Sequence, residues 1–429
     1  MGAGHDHGPP PDIGISRVAR IASTVLLAIV AVVTVVGVVL LWPGERQTIA
    51  QAAPGTASSV AAIEKGRVVG MGPCEAIDGS FEIDESIQHE CAVADVLIGT
   101  GPSAGETVRV ELIGVSAMSG LVPGDSVHVS DIGGETGSYW SLIVIDRLMP
   151  LLWFTTAFVV VVIAVAGWKG VRGLIGLVVA GAVFFMFMLP ALATGRPPVA
   201  VALVGGAAIM FAVLYLAHGI SMRTTSAFVG TLVSLLATAG LGALGVWSAR
   251  LSGLSTDETI ALAGQSEGMS FTALLTCSLI IAGLGVLNDT TITQSSAVWE
   301  LRAAGPHLTR WQLFSSGMRI GRDHIASTIY TIVFAYAGAA LSTLVLLALY
   351  TQPLGLLLST EMFAEEIVRT LGSGIGLVLS VPLTTAVAAL TVAGASSARA
   401  ELAHDDAHGH GHAHADAHEP EHRPRRALP

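Results

Sequence analysis

Long apolar runs separated by short polar interruptions dominate this chain. Runs of Val, Leu, Ala, Ile and Gly of roughly 17–25 residues match the length that crosses ~30 Å of hydrocarbon at about 1.5 Å per residue. They predict eight helices, over 21–42, 150–167, 174–190, 198–217, 227–249, 272–292, 325–349 and 371–395. The sixth keeps its helical pattern while its C-terminal half turns polar. Between the first two runs the period changes. Residues 43–61 read as a linker rich in Ala, Ser, Thr, Gln and Pro. From 62 to 147 the chain alternates, as in Arg67-Val68-Val69, Thr107-Val108-Arg109-Val110-Glu111-Leu112, Ser126-Val127-His128-Val129 and Ser141-Leu142-Ile143-Val144-Ile145. Turn signals such as Pro123-Gly124-Asp125 break these runs. The pattern predicts an α-helical polytopic membrane protein of about eight spans, with a small extracytoplasmic β-barrel or sandwich after the first span. Its parts are an N-terminal tail (1–20), an anchor helix (21–42), the linker, the β domain (62–147), a seven-helix membrane domain (150–395) and a C-terminal tail (396–429).

Composition sharpens this picture. Of the 429 residues 52% are apolar and 12% charged, about half the charged share of a soluble protein. With 21 Lys+Arg against 32 Asp+Glu the net charge is −11, and these figures together exclude a disordered chain and a basic nucleic-acid-binding domain. With the N-terminus inside, 13 of the 21 cations fall on inner segments: Arg17, Arg20, Lys169, Arg172, Arg223, Arg302, Arg310, Arg319, Arg322, Arg399, Arg423, Arg425 and Arg426. Short outer loops hold only Arg196, Arg250 and Arg369, so both termini are expected in the cytosol. Ile21–Leu41 is longer than a usual signal-peptide core and reads as an anchor, although Ala50-Gln51-Ala52 keeps a cleavage site open. Residues 43–149 carry 15 acidic and 5 basic side chains, nearly all of the excess negative charge. Glu82, Asp84, Glu85 and Glu90 match no calcium loop and read as a solvated face.

Three cysteines are present. Cys74 and Cys91 lie in the domain assigned to the oxidising side, and their spacing of 17 fits one disulfide, with two unpaired thiols as the alternative. Cys277 sits among Leu274, Leu275 and Leu279 and reads as a small core residue.

The informative chemistry lies inside the spans. In the sixth, Gly285, Asp289, Thr293, Ser296 and Glu300 recur at helical spacing and form one small, polar stripe, with Asn288 and Gln294 beside it. An ionised Asp deep in a bilayer costs roughly 2.5–3.5 kcal/mol, so Asp289 is expected to face protein or water. At the seventh span Asp323, Ser327 and Thr331 share a face, and Arg322 is a candidate partner for Asp289 or Glu300. The functional reading is a polar path built on Asp289 and Asp323; the alternative is a set of helix-to-helix hydrogen bonds and interfacial charges. In the eighth span Gly372, Gly374 and Gly376 allow close approach, and Pro382, with Thr384 and Thr385, is a candidate bend. Leu313 and Phe314 suggest an interfacial amphipathic helix in the inner loop 301–321.

The tail holds His404, His408, His410, His412, His414, His418 and His422 among acidic residues, and the N-terminus adds His5, Asp6 and His7. Such a mixture suits weak, multi-site binding of Zn, Ni, Cu or Co, or is simply a solvated tail; no other cofactor is indicated. No P-loop, HExxH or GxSxG motif is present, and no nucleophile–base pair is recognisable, so no enzymatic activity is expected.

The run from Gly285-Val286-Leu287-Asn288-Asp289 through Trp299-Glu300-Leu301 resembles the signature segment of the YibE/F-like membrane proteins. Gly321-Arg322-Asp323-His324 through Tyr330-Thr331, with Ala335-Tyr336-Ala337-Gly338, is similar to the same family, as is Gly372-Ser373-Gly374-Ile375-Gly376 through Pro382-Leu383-Thr384. The anchor, the β domain and Asp146-Arg147 before Pro150-Leu151 resemble its YibE half, so that the likeness spans about 62–395. It implies a bacterial plasma-membrane protein of permease type, with family acidic positions at Asp289, Glu300 and Asp323. The expectation is a secondary transporter or permease subunit in which Asp289 and Asp323 bind a proton or cation, its solute unnamed and a metal ion one candidate. Partners expected are lipid and, as candidates, an extracytoplasmic protein and a second copy of the chain. The alternative is an envelope scaffold whose β domain recruits that extracytoplasmic partner.

Overall fold

The computed structural model describes residues 17–44, 62–74, 91–133, 138–266, 268–349 and 352–392. The His-rich termini, the acidic run 75–90 and nearly all of the linker lie outside them. The chain divides into two units: residues 47–171, and residues 1–46 with 172–429.

In the first unit, strands β1 (Ile63–Pro73), β2 (Cys91–Ile98), β3 (Thr107–Ile113), β4 (Ser126–Asp131) and β5 (Trp140–Ile145) close a barrel in the order β1-β2-β3-β5-β4. All pairings are antiparallel except β3 with β5, which run parallel at Val110 and Trp140. This is a five-stranded barrel of the OB-fold kind, which resolves the barrel-or-sandwich alternative. Alternation creates its core. In β3, Val108, Val110 and Leu112 point inward while their neighbours face out, and they meet Val68, Val96, Ile98, Val127 and Val129. Cys74 and Cys91 form a disulfide with Cα atoms 5.7 Å apart, joining the end of β1 to the start of β2. Buried Glu64 accepts from the backbone N–H and hydroxyl of Ser103, holding the turn between β2 and β3.

The apolar helices follow. A 46-residue helical run, Leu148–Ala193, comprises α2 (Leu148–Val183), a π-turn (Phe184–Met188) and α3 (Leu189–Ala193). Gly167 interrupts it with φ 57° and ψ −137°, a backbone state open to glycine and not to β-branched neighbours such as Val165. The break falls where the sequence places a turn between two spans.

In the second unit, α1 (Arg17–Leu40) packs on α4 (Pro198–His218). Helices α4, α5 (Met222–Ser248), α7 (Phe271–Ala304) and α11 (Glu361–Thr391) form the bundle, with α8 (Arg310–Ala339) against α7 and α11. A short helix α6 (Asp257–Gln265) precedes α7; α9 (Leu341–Leu349) and α10 (Leu354–Leu358) precede α11. Small residues set the spacing. A side chain on Gly376 would collide with Thr238, and one on Gly230 would lie 2.5 Å from Thr384 Oγ1. Cys277 is buried in the main core with Ile280, Leu284 and Leu287.

Three expectations need correction. The seventh span is not one straight helix: α8 and α9 meet at a 68° bend beside Ala340. No separate interfacial helix occupies 301–321. Instead α7 continues to Ala304, and Thr309 caps α8 by accepting from the Gln312 N–H while its own N–H donates to Gln312 Oε1. Leu313 is consequently buried in the packing of α8 rather than laid on lipid. Pro382 sits inside a continuous α11. Six helices are long and apolar enough to cross a membrane, or seven if the bent pair is one span.

Candidate functional site

The polar side chains of α7 lie on two opposite faces. On one, Thr290, Thr291, Gln294 and Ser295 are buried. Thr291 shares a hydrogen bond of 2.6 Å with Thr231 of α5, and Ser295 donates to the Arg223 carbonyl. Gln294 Nε2 donates to the Gly317 carbonyl of α8 and to Thr385 Oγ1 of α11, both at 2.7 Å. One amide thus joins three helices, and Gly317 and Gly321 have no side chain because Gln294, Val381 and Thr385 fill that space. Thr291, Gln294 and Ser295 make satisfied structural bonds, whereas Thr290 Oγ1 has no hydrogen-bond partner among the described residues, so Gln294 belongs to the helix-to-helix reading rather than to a path.

The other face carries the expected stripe. Gly285, Asp289, Thr293 and Glu300 are exposed on the chain, and Ser296 is half-buried. Asn288, at the edge of the two faces, is half-buried with Oδ1 making no hydrogen bond to the described chain. Glu300 pairs with Arg223 of α5 at 2.8 Å, not with Arg322. Among the described residues Arg322 makes no ion pair with Asp289 either. On α8, Arg322, Asp323, Ser327 and Thr331 are all exposed, and Ser327 accepts at its carbonyl from Thr331 Oγ1. The two acids therefore face off the bundle and are not brought together by direct contact.

Their depth follows from packing. Helix α4 is apolar throughout its 21 residues up to His218, and so marks the thickness of the apolar layer. Leu284 of α7 and Leu235 of α5 lie against Gly206, close to the centre of α4. Asp289 is five residues further along α7, ~7.5 Å at the helical rise, which leaves it well inside a layer of ~15 Å half-thickness. Gln294 meets Gly317 and Gly321, so the antiparallel α8 carries Arg322 and Asp323 to a depth close to that of Asp289. Asp323 thus lies along α8 at about the level of Asp289 on α7.

The sequence reading missed the buried network and Arg302. The latter is 1% exposed and donates to the carbonyls of Pro306 and Leu308, fastening the turn between α7 and α8. Its signal was present: Thr291, Gln294 and Val298 repeat at helical spacing opposite Asp289. Among the described residues no group of three or more His, Cys, Asp or Glu is arranged to hold a metal ion. The tail histidines lie outside the described residues.

Six or seven apolar helices of spanning length, packed as a bundle, mark a helical membrane protein. The YibE/F-like protein family matches residues 154–394, more than half of the chain, and the protein belongs to that family. The match contains both acids and the glycine-lined α11 but not the barrel. No curated protein matches the chain. No solved structure matches it either.

Proposed function

We propose that this protein is a secondary transporter or permease subunit of the bacterial plasma membrane, in which Asp289 binds the coupling proton or the transported cation. The observation that supports this most directly is the setting of Asp289. It lies within the apolar layer, open on one side, and joined to no ion pair among the described residues. A carboxylate kept there costs roughly 2.5–3.5 kcal/mol unless water, solute or a partner meets it. Thr293 and Ser296 continue the same face and would line the approach.

The proposed topology has eight crossings. The Leu148–Ala193 run measures ~69 Å at the helical rise, more than twice the apolar thickness, and Lys169 and Arg172 closely follow its break at Gly167. Two crossings there, with α8 and α9 as one bent crossing, put both termini on the cation-rich, cytosolic side and the barrel outside. Asp289→Asn in proteoliposomes is expected to abolish proton-coupled flux of the transported solute, with unchanged orientation and yield. Equal flux of every solute the wild type carries overturns the assignment.

One observation favours the scaffold reading as a second possibility. The 3-10 turn Gly114–Ser119 between β3 and β4 presents Val115 and Met118, 86% and 65% exposed, on the barrel surface. Capture of a specific envelope protein by the full chain, lost with Val115→Ser and Met118→Ser, would support it.

A further inference from the structure

Arg322 and Asp323 are neighbours of opposite charge on α8, exposed at the same depth of the apolar layer. Neither is ion-paired among the described residues. The buried face of α8 runs through Leu313, Gly317, Gly321 and Ile332. At about 100° per residue, Arg322 and Asp323 straddle the opposite direction, away from the bundle. Among the described residues no charge pairs with them: Asp289 of α7 lies at a similar level but makes no ion pair with Arg322, residues 149–166, 198–217 and 21–41 carry no Asp, Glu, Lys, Arg or His, and Arg223 of α5 already holds Glu300.

We propose that α8 packs against α8 of a second copy of this chain, about a two-fold axis parallel to the helix, so that Arg322 of each copy binds the partner's Asp323. The charge pattern is self-complementary under this operation. A two-fold along the membrane normal makes the helices parallel and sets equal residue numbers at equal height. The offset between positions 322 and 323 is then ~1.5 Å, within the reach of an arginine side chain. The pair forms twice and matches Arg322 and Asp323 of both copies, while exposed Arg319, one turn nearer the start of α8, stays outside it. Next to it Ala326 and Ser327 are exposed and small, which lets two backbones approach, and Tyr330 and Phe334 extend the seam toward the bend. Such pairing withdraws Asp323 from the carrier role and leaves Asp289 as the free intramembrane carboxylate. The inference does not depend on transport: it predicts an assembly, whereas the permease reading predicts flux.

The test uses the full chain in its own membranes. Single-molecule photobleaching of the fluorescently tagged wild type is expected to give predominantly two steps. A cysteine at Ser327 is expected to cross-link under mild oxidation at least tenfold more than one at Leu236, an exposed position on α5. Arg322→Asp alone and Asp323→Arg alone are expected to reduce dimer by at least tenfold, and the double reversal R322D/D323R to restore it, because the exchanged charges again match across the axis. One-step bleaching of the wild type, or equal cross-linking at 327 and 236, overturns the proposal. So does a double reversal that folds into the membrane yet stays as monomeric as the single variants.

Discussion

Gln294 and Asp289 sit five residues apart on one helix and do opposite work. The amide of Gln294 spends both donors on α8 and α11, while the carboxylate of Asp289 is left without a partner in the described chain. Losing the first leaves the Gly317 carbonyl and the Thr385 hydroxyl facing apolar atoms. Gln294→Leu is therefore expected to destabilise the bundle by ~1–3 kcal/mol, read as a shift in unfolding of the reconstituted protein by a steric-trap measurement. Asp289→Asn is expected to leave that stability almost unchanged. A larger loss at 289 than at 294 would show that the structural and functional faces have been exchanged. The stripe through Asp289 is legible in the sequence because acids at helical spacing stand out among Val and Leu. Which face is buried is not legible, because Thr291, Gln294 and Ser295 make an equally periodic polar row.

Among elements, the barrel strands follow from alternation, since one face of each must be dry. Strand β2 escapes that signal. Ala92 and Val93 run directly into its inward residues Ala94, Val96 and Ile98, and Leu97 is as apolar as they are, so Asp95 alone marks the outward face. The bend after α8 is marked only by Gly338, two residues before Ala340, and a lone glycine inside a helical pattern is usually tolerated. At the barrel's other end Lys65 Nζ donates to Asp146 at 2.5 Å, tying β1 to the chain just before α2. That bond, with a second from the Leu148 N–H, holds the Asp146 carboxyl below its ordinary value of 3.8. A carboxylate lowered in the folded state contributes stability above its unfolded value and loses it as the pH falls through the folded one. Wild type is thus expected to melt above Asp146→Asn at pH 6 and to converge with it as the pH drops below 3.8. Calorimetry of the full chain checks this; a gap that persists at pH 2 would contradict it.

For the whole molecule, composition and run length already declare a membrane protein, and cation placement suggests its direction. The count of crossings is harder, because the two spans read at 150–167 and 174–190 form one helical run interrupted only at Gly167. The proposed topology separates two reporter positions. A cysteine in place of exposed Thr107 is expected to react with a membrane-impermeant maleimide in intact cells, and one in place of His307 only after permeabilisation. The reverse labelling would place the barrel in the cytosol and invert the molecule.

Closure of the five strands leaves the barrel little unpaired strand margin, the widest where β3 meets β5 at Val110 and Trp140. A binding peptide therefore has little open edge to extend by backbone hydrogen bonds, in contrast to open-edged domains. Recognition on the barrel is expected to run chiefly through side chains and loop ends, and the same closure guards neighbouring copies against fusing strand to strand when the membrane is crowded.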